Sequence, residues 1–341
     1  MEKSKVLVTG ATGYIGGWVV KYLLEEGYTV HITVRDKSKK KKYEHLLKLA
    51  DQSKGTLQVF EADLLDGNSF IEPMKDCEVV FHIASPFIIN NIKDPQTQLI
   101  DPDLEGTRNV LNAVNTTESV KRVVLTSSTV AICGDNADMK DQGLKAFTEQ
   151  HWNTTSNLKH QPYAFSKVLA EKEAQKIADA QSRWSLSVIN PGFVMGPSLA
   201  GSTSSGSFEF IRDYLSGKLL TGVPMLVFSY VDVRDVARAH ILAAEKNSDG
   251  RHIITNKSFS MLEVSKILKG SAKKKGLLPK FQAPKFMLYI IGPLFGLSSK
   301  FVSRNIGYSI QFDNSKSKEK LGLEYRSIET ALKEMVEQME K

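Results

Sequence analysis

Cysteine is nearly absent: Cys77 and Cys133 are the only two in 341 residues. Two thiols build neither a disulfide framework nor a cysteine metal cluster. The seven histidines are scattered without HExxH spacing, so no metal site is expected. Uninterrupted apolar runs long enough to span a bilayer, about 20 residues, are also missing. The most apolar stretch, residues 286–302 (FMLYIIGPLFGLSSKFV), is interrupted by Gly292-Pro293. It is expected to be a core or substrate-pocket helix, and membrane contact is not expected. The net charge is +7, with a basic run at residues 37–42, but neither interleaved aromatics nor a nucleic-acid motif accompanies it. That argues against nucleic acid as a partner. Residues 1–5 are polar and lead straight into a strand pattern, so no signal peptide and a cytoplasmic location are expected.

What is present is the balance of an ordinary globular protein, 41% hydrophobic and 24% charged. Strand-like apolar runs fall at Lys5–Thr9 (KVLVT) and at residues 28–35, 57–62, 78–84, 122–127 and 186–190. They alternate with helix-like segments such as 15–26, where apolar residues recur at three- and four-residue spacing. Repeated βαβ units predict an α/β fold, a doubly wound parallel sheet (Rossmann) covered on both faces. Residues 1–190 are expected to form a dinucleotide-binding domain. Residues 191–341 would be a smaller substrate lobe, with 225–250 returning to the first unit. Glycine and serine crowd residues 196–207, a loop long enough to cover a ligand.

Gly10, Gly13 and Gly16 (GATGYIG) stand between the first strand and the first helix. Glycine there permits a tight turn and lets a pyrophosphate approach the free N–H groups of a helix start. The second strand ends in Arg35, which suits the extra phosphate of NADP, while the adjacent Asp36 leaves NAD open. Tyr163 and Lys167 (YAFSK) are four residues apart in a helix-like segment, which puts both on one face. A free phenol has a pKa near 10, and a neighbouring ammonium is expected to pull it toward the working range. Ser127 and Ser128 end the strand RVVLTSS, where ligands of open α/β sheets bind.

GATGYIG, FHIASPF (81–87), VVLTSST (123–129), YAFSK and NPGFVMGP (190–197) together resemble the extended short-chain dehydrogenase/reductases. The likeness is nearest to the branch of dihydroflavonol reductases, cinnamoyl-CoA reductases and methylglyoxal/ketone reductases. It implies Ser128, Tyr163 and Lys167 as the catalytic set and NADP(H) as cofactor. Gly10, Thr12, Gly13, Tyr14, Ile15 and Gly16 would form the phosphate loop, and Arg35 and Lys42 would hold the NADP phosphate. Asp63 and Leu64 would face the adenine, and Ala84 and Ser85 the pyrophosphate and ribose. Thr126 would also contact the cofactor, and Pro191, Gly192 and Val194 would lie beside the nicotinamide. Phe87, Cys133 and Phe193 would line the substrate pocket.

The resemblance has departures. Cys133 stands where dihydroflavonol reductases carry an asparagine, and HQPYAFSK replaces the NWYCYGK of cinnamoyl-CoA reductases. Neither named substrate is therefore inherited. The activity implied is reduction of a small-molecule aldehyde or ketone by a monomer or homodimer, with Tyr163 as proton donor. The rivals are an NAD-dependent sugar-nucleotide epimerase or dehydratase, a hydroxysteroid dehydrogenase, and a non-catalytic NADP-sensing protein. The last is disfavoured because both Tyr163 and Lys167 are present.

Overall fold

The computed structural model describes residues 3–85, 94–201 and 205–341. Phe87, expected at the substrate pocket, lies outside the described residues. The β-branched runs form β1 (Lys5–Thr9), β2 (Thr29–Val34), β3 (Thr56–Glu61), β4 (Val79–His82), β5 (Arg122–Thr126) and β6 (Ser185–Pro191). Four more strands follow: β7 (Phe193–Met195), β8 (Val227–Asp232), β9 (Gly250–Ile254) and β10 (Lys257–Ser260). Seven of them pair in the order β3-β2-β1-β4-β5-β6-β9, all parallel. A separate sheet runs β10-β8-β7, with β8 parallel to β7 and antiparallel to β10.

Both faces of the main sheet are covered across its inner strands, as parallel sheets require, while the edge strand β3 keeps Thr56, Gln58 and Glu61 exposed. Val6, Val8, Val30 and Ile32 point to one side and pack with the helices Tyr14–Glu25 and Val233–Glu245. Leu7, Val80, Val123 and Val188 point to the other, against the helices Asp101–Thr116 and Pro162–Asp179. The chain fills β2 and β3 on one side of β1, then crosses to place β4 on the other. That reversal opens a crevice beyond the carboxyl ends of β1 and β4, the usual ligand position in such sheets.

A third cluster, containing Tyr214, Tyr230, Leu268, Leu332 and Met335, forms the core around the small sheet. The helix Val233–Glu245 starts at Asp232, whose carboxylate caps the Arg234 N–H at 2.8 Å. It packs on the first helix, and the strand after it, β9, closes the edge of the main sheet.

The stretch 286–302 departs from the expected core helix. It forms the helix Lys285–Ile291, a tight turn Gly292–Phe295 and a second helix Ser299–Asn305. Only Leu288, Gly292 and Val302 of its described residues are buried. No helix among the described residues is long and apolar enough to cross a membrane.

Candidate active site

β1 delivers Thr9 and Gly10 to the crevice. Gly10 has φ +69°, and a Cβ there would stand 2.7 Å from the backbone nitrogen of Ala84. A Cβ at Gly16 would run into the Gly10 carbonyl, so the first helix sits directly on the turn. Gly13 is the N-cap of that helix, and its own N–H is given to Gly10 O at 2.9 Å. No side chain caps the helix start, which leaves it suited to an anion. The Thr9 hydroxyl ties this turn to the end of β4, lying 2.8 Å from His82 Nδ1 and accepting the Ala84 N–H at 3.2 Å.

Thr12 and Ile15 are half-buried in the turn. Tyr14 donates its hydroxyl to the Gly196 carbonyl at 2.5 Å, and Trp18 donates to Pro197 O at 2.9 Å. Two aromatic residues of the first helix thus pin the NPGFVMGP segment.

Arg35 and Lys42 are exposed beyond β2, with no ion pair among the described residues. Asp36 is occupied locally. It accepts from the backbone and hydroxyl of Ser38 and pairs with Lys39 at 2.9 Å, which lowers its carboxyl pKa to about 2. Asp63 caps its own turn by accepting the Leu65 N–H at 2.9 Å, and Leu64 packs on Gly106.

The Pro162–Asp179 helix carries Tyr163 and Lys167, and its start is set by a buried network. Asp135, fully buried, accepts from His160 Nε2 at 2.9 Å, from Gln161 Nε2 at 2.7 Å and from Asn305 Nδ2 at 2.6 Å. Gln161 takes φ +55° as the helix N-cap. A left-handed glutamine is uncommon, and the Asp135 contact helps hold it just before the tyrosine.

Lys167 Nζ stands 6.0 Å from the Tyr163 ring centre. It donates to Ser85 Oγ at 2.6 Å and pairs with Asp103 at 3.2 Å, both partners of that pair being almost wholly buried. The Tyr163 pKa is raised, by burial first and by the Asp103 charge as well, with Lys167 pulling it down. The expected net depression is therefore overridden. Burial works to lower the Lys167 pKa, yet Asp103 and Tyr163 leave it raised.

The two serines at the end of β5 differ. Ser127 is buried and gives its hydroxyl to Glu171, which also binds Arg251 and, at 2.8 Å, Asn190 Nδ2. Ser128 is half-exposed, and its hydroxyl accepts the Val130 N–H at 3.3 Å. Asn190 Nδ2 holds the Ser128 carbonyl at 3.2 Å. The short turn Thr129–Ala131 packs against the tyrosine-bearing helix.

Two expected site residues have their side-chain polar atoms engaged away from the crevice. The Thr126 hydroxyl is taken by His240 Nε2 at 2.7 Å, on the opposite face of the sheet from Lys167. Cys133 is 4% exposed, with its thiol turned to Asp135 O and packed among Ile132, Phe147 and Ile310, so it belongs to packing. Phe193 is half-buried, its ring 5.0 Å from Phe210, 5.3 Å from Phe228 and 5.7 Å from Tyr230. Pro191 ends β6, Gly192 donates its N–H to Ile254 O at 3.0 Å, and Val194 is buried in β7. Among the described residues no cluster could hold a metal.

Asp103, Asp135, Glu171 and Asn190 are the residues that reading the sequence misses. Only Glu171 carries a local signal, four residues after Lys167 on the same helix face.

This chain belongs to the NAD dependent epimerase/dehydratase family, whose sequence model matches residues 6–256. It is similar to a cinnamoyl-CoA reductase of Medicago truncatula, 38% identical over 98% of this chain and 95% of that protein. An anthocyanidin reductase of Arabidopsis thaliana is 34% identical over 82% of this chain and 83% of its own. Among solved structures, Gre2 of Candida albicans in complex with NADPH superposes with a TM-score of 0.80. It is 32% identical, over 99% of this chain and 98% of that one. The resemblance to extended short-chain dehydrogenase/reductases and the doubly wound fold are both borne out.

Proposed function

We propose that this protein reduces an apolar aldehyde or ketone to the alcohol at the expense of NADPH, with Tyr163 as proton donor. The observation that carries the reading is the buried Lys167 on the Tyr163 helix face, close to the glycine turn through Ser85.

A dinucleotide is supported by the tight turn, where a Cβ at Gly10 or Gly16 would strike the backbone of Ala84 or Gly10. The uncapped helix start after it offers N–H groups to a pyrophosphate. Arg35 and Lys42 would hold the 2′-phosphate, a role Asp36 does not contest while its carboxylate is engaged by Ser38 and Lys39. Asp63, Leu64, Ala84 and Ser85 would flank the adenosine and ribose, and Pro191, Gly192 and Val194 the nicotinamide. When bound, the nicotinamide supplies a hydride to the carbonyl carbon.

The residues supply the rest. Ser128 donates a hydrogen bond to the carbonyl oxygen and orients it. Tyr163 gives that oxygen its proton, so the product is the neutral alcohol. Lys167 stabilises the phenolate left behind. A phenol kept protonated by burial and by Asp103 suits the reducing direction. The half-exposed Phe193, edge-on to Phe210 and Phe228, supports an apolar substrate.

The relatives are consistent with this reading: two are named as reductases and one was solved with NADPH. The test is a panel of aldehydes and ketones assayed by oxidation of NADPH and of NADH. Turnover of apolar carbonyls with NADPH preferred is expected. Oxidation of neither nucleotide by any member, or purification with firmly retained NAD and activity on a nucleotide-sugar, would overturn it.

A further inference from the structure

We propose that the face built by residues 281–294 docks this protein on an anionic membrane surface. The inference does not depend on the reading of the active site.

The first observation is exposure. Phe286, Ile290 and Leu294 follow one another at four-residue steps along the helix Lys285–Ile291 and the turn after it, and are 68%, 75% and 84% exposed. Phe281 is 53% exposed, and Met287 and Tyr289 are each 41% exposed. These six are most of the large apolar residues exposed among the described residues, and they fall within fourteen positions of the chain. The segment is anchored from below. Leu288 and Val302 are buried in the small lobe, and Lys285 Nζ is held by the carbonyls of Ser303 at 3.0 Å and Ile306 at 2.7 Å. A fixed, solvent-facing apolar strip of this size marks a contact surface.

The second observation is charge. From residue 264 to residue 312 the chain has nine Lys and Arg and no Asp or Glu. The remainder then carries 36 of the 45 basic residues against all 38 acidic ones. The net positive charge of the whole protein is therefore confined to this segment. Lys280 and Lys300, which bracket the apolar strip in sequence, have no carboxylate partner among the described residues. Of the basic residues in the segment, Arg304 is paired with Asp138 and Asp141, whereas Lys280 and Lys300 are not paired among the described residues. An apolar and aromatic strip within a chain segment whose charged residues are all basic matches a bilayer interface. The rings and aliphatic groups enter the headgroup boundary while the ammonium groups meet lipid phosphates.

Charge also selects between occupants. A second copy of this chain on the same face would bring one basic segment against its twin, since a twofold contact sets a patch on itself. An anionic bilayer presents the complementary sign. The short helix and its Gly292-Pro293 interruption rule out a span and leave a surface contact.

The test is sedimentation of the full chain with phosphatidylcholine vesicles, with and without phosphatidylserine. Binding to the anionic vesicles alone, weakened by salt, is expected. Ile290→Asp with Leu294→Asp should abolish it, and Lys280→Glu with Lys300→Glu should lower it by about tenfold or more. Both variants alter exposed side chains, and unchanged thermal unfolding and NADPH binding would show that they remain folded. Absence of binding at low salt overturns the proposal. So does binding that survives both variants, and so does a self-associating species lost in the Ile290→Asp, Leu294→Asp variant without any vesicle binding.

Discussion

Lys167 and Asp103 form an ion pair at 3.2 Å with side chains only 5% and 4% exposed, and Ser85 bridges them. Asp103 also accepts from Ser166 at 3.2 Å, so its carboxylate braces the helix that carries the tyrosine. The groups facing Lys167 are Asp103, Tyr163, Glu171 and the neutral His82, so Asp103 is the nearest counter-charge. Its negative charge favours the protonated form of both Lys167 and Tyr163.

Replacing Asp103 with Asn keeps the shape and removes that charge. The pKa values of Tyr163 and Lys167 should both fall. In the proposed mechanism reduction needs a protonated phenol, so the alkaline limb of the kcat profile should move to lower pH. A pH–rate series on wild type and D103N measures it. An unmoved limb, with only a uniform loss of activity, would leave Asp103 a purely structural brace.

Tyr163→Phe removes one oxygen from a side chain whose position is fixed by the Asp135–Gln161 network at the helix start. Turnover should fall by a factor on the order of 100 or more, the usual size of a general-acid contribution. NADPH binding, measured by fluorescence titration, should be nearly unchanged. Near-full activity would refute the donor role.

Arg35 is exposed beyond β2 and has no carboxylate partner among the described residues. Arg35→Ala should weaken NADPH binding by roughly tenfold to a hundredfold, the worth of a charge-assisted hydrogen bond, and leave NADH little affected. Equal losses for the two nucleotides would mean that Arg35 does not meet the 2′-phosphate.

The fold is legible in this sequence because its signals are local. KVLVT, GATGYIG and the apolar spacing of the first helix announce a strand, a turn and a helix without any knowledge of partners. The Tyr163–Lys167 spacing is legible for the same reason. Asp103 is not, because 64 residues separate it from Lys167 and only the packing of two helices joins them. Thr126 shows the converse: its strand-end position suggests the crevice, while His240 from a distant helix claims its hydroxyl. Residues 286–302 mislead because hydrophobicity tells how much a segment gains from burial and not what buries it.

His82 and His240 are fully or almost fully buried, and burial holds both pKa values down to about 4 against an ordinary 6.5. Each imidazole is neutral in the fold: His82 lies against Thr9, and His240 lies between Thr126 and the Val236 carbonyl. Between pH 6.5 and 4 the unfolded chain takes up these protons and the folded chain does not. Stability is therefore complete above that window and falls as pH drops through it, by up to about 3 kcal/mol per histidine. His240→Gln should be less stable near pH 7, having lost a fitted ring. Its stability should also fall less steeply with acid than that of the wild type. Urea unfolding of both proteins across the window supplies the two slopes. Parallel slopes would mean that His240 is already protonated in the folded protein, which its carbonyl and hydroxyl partners would then have to accommodate.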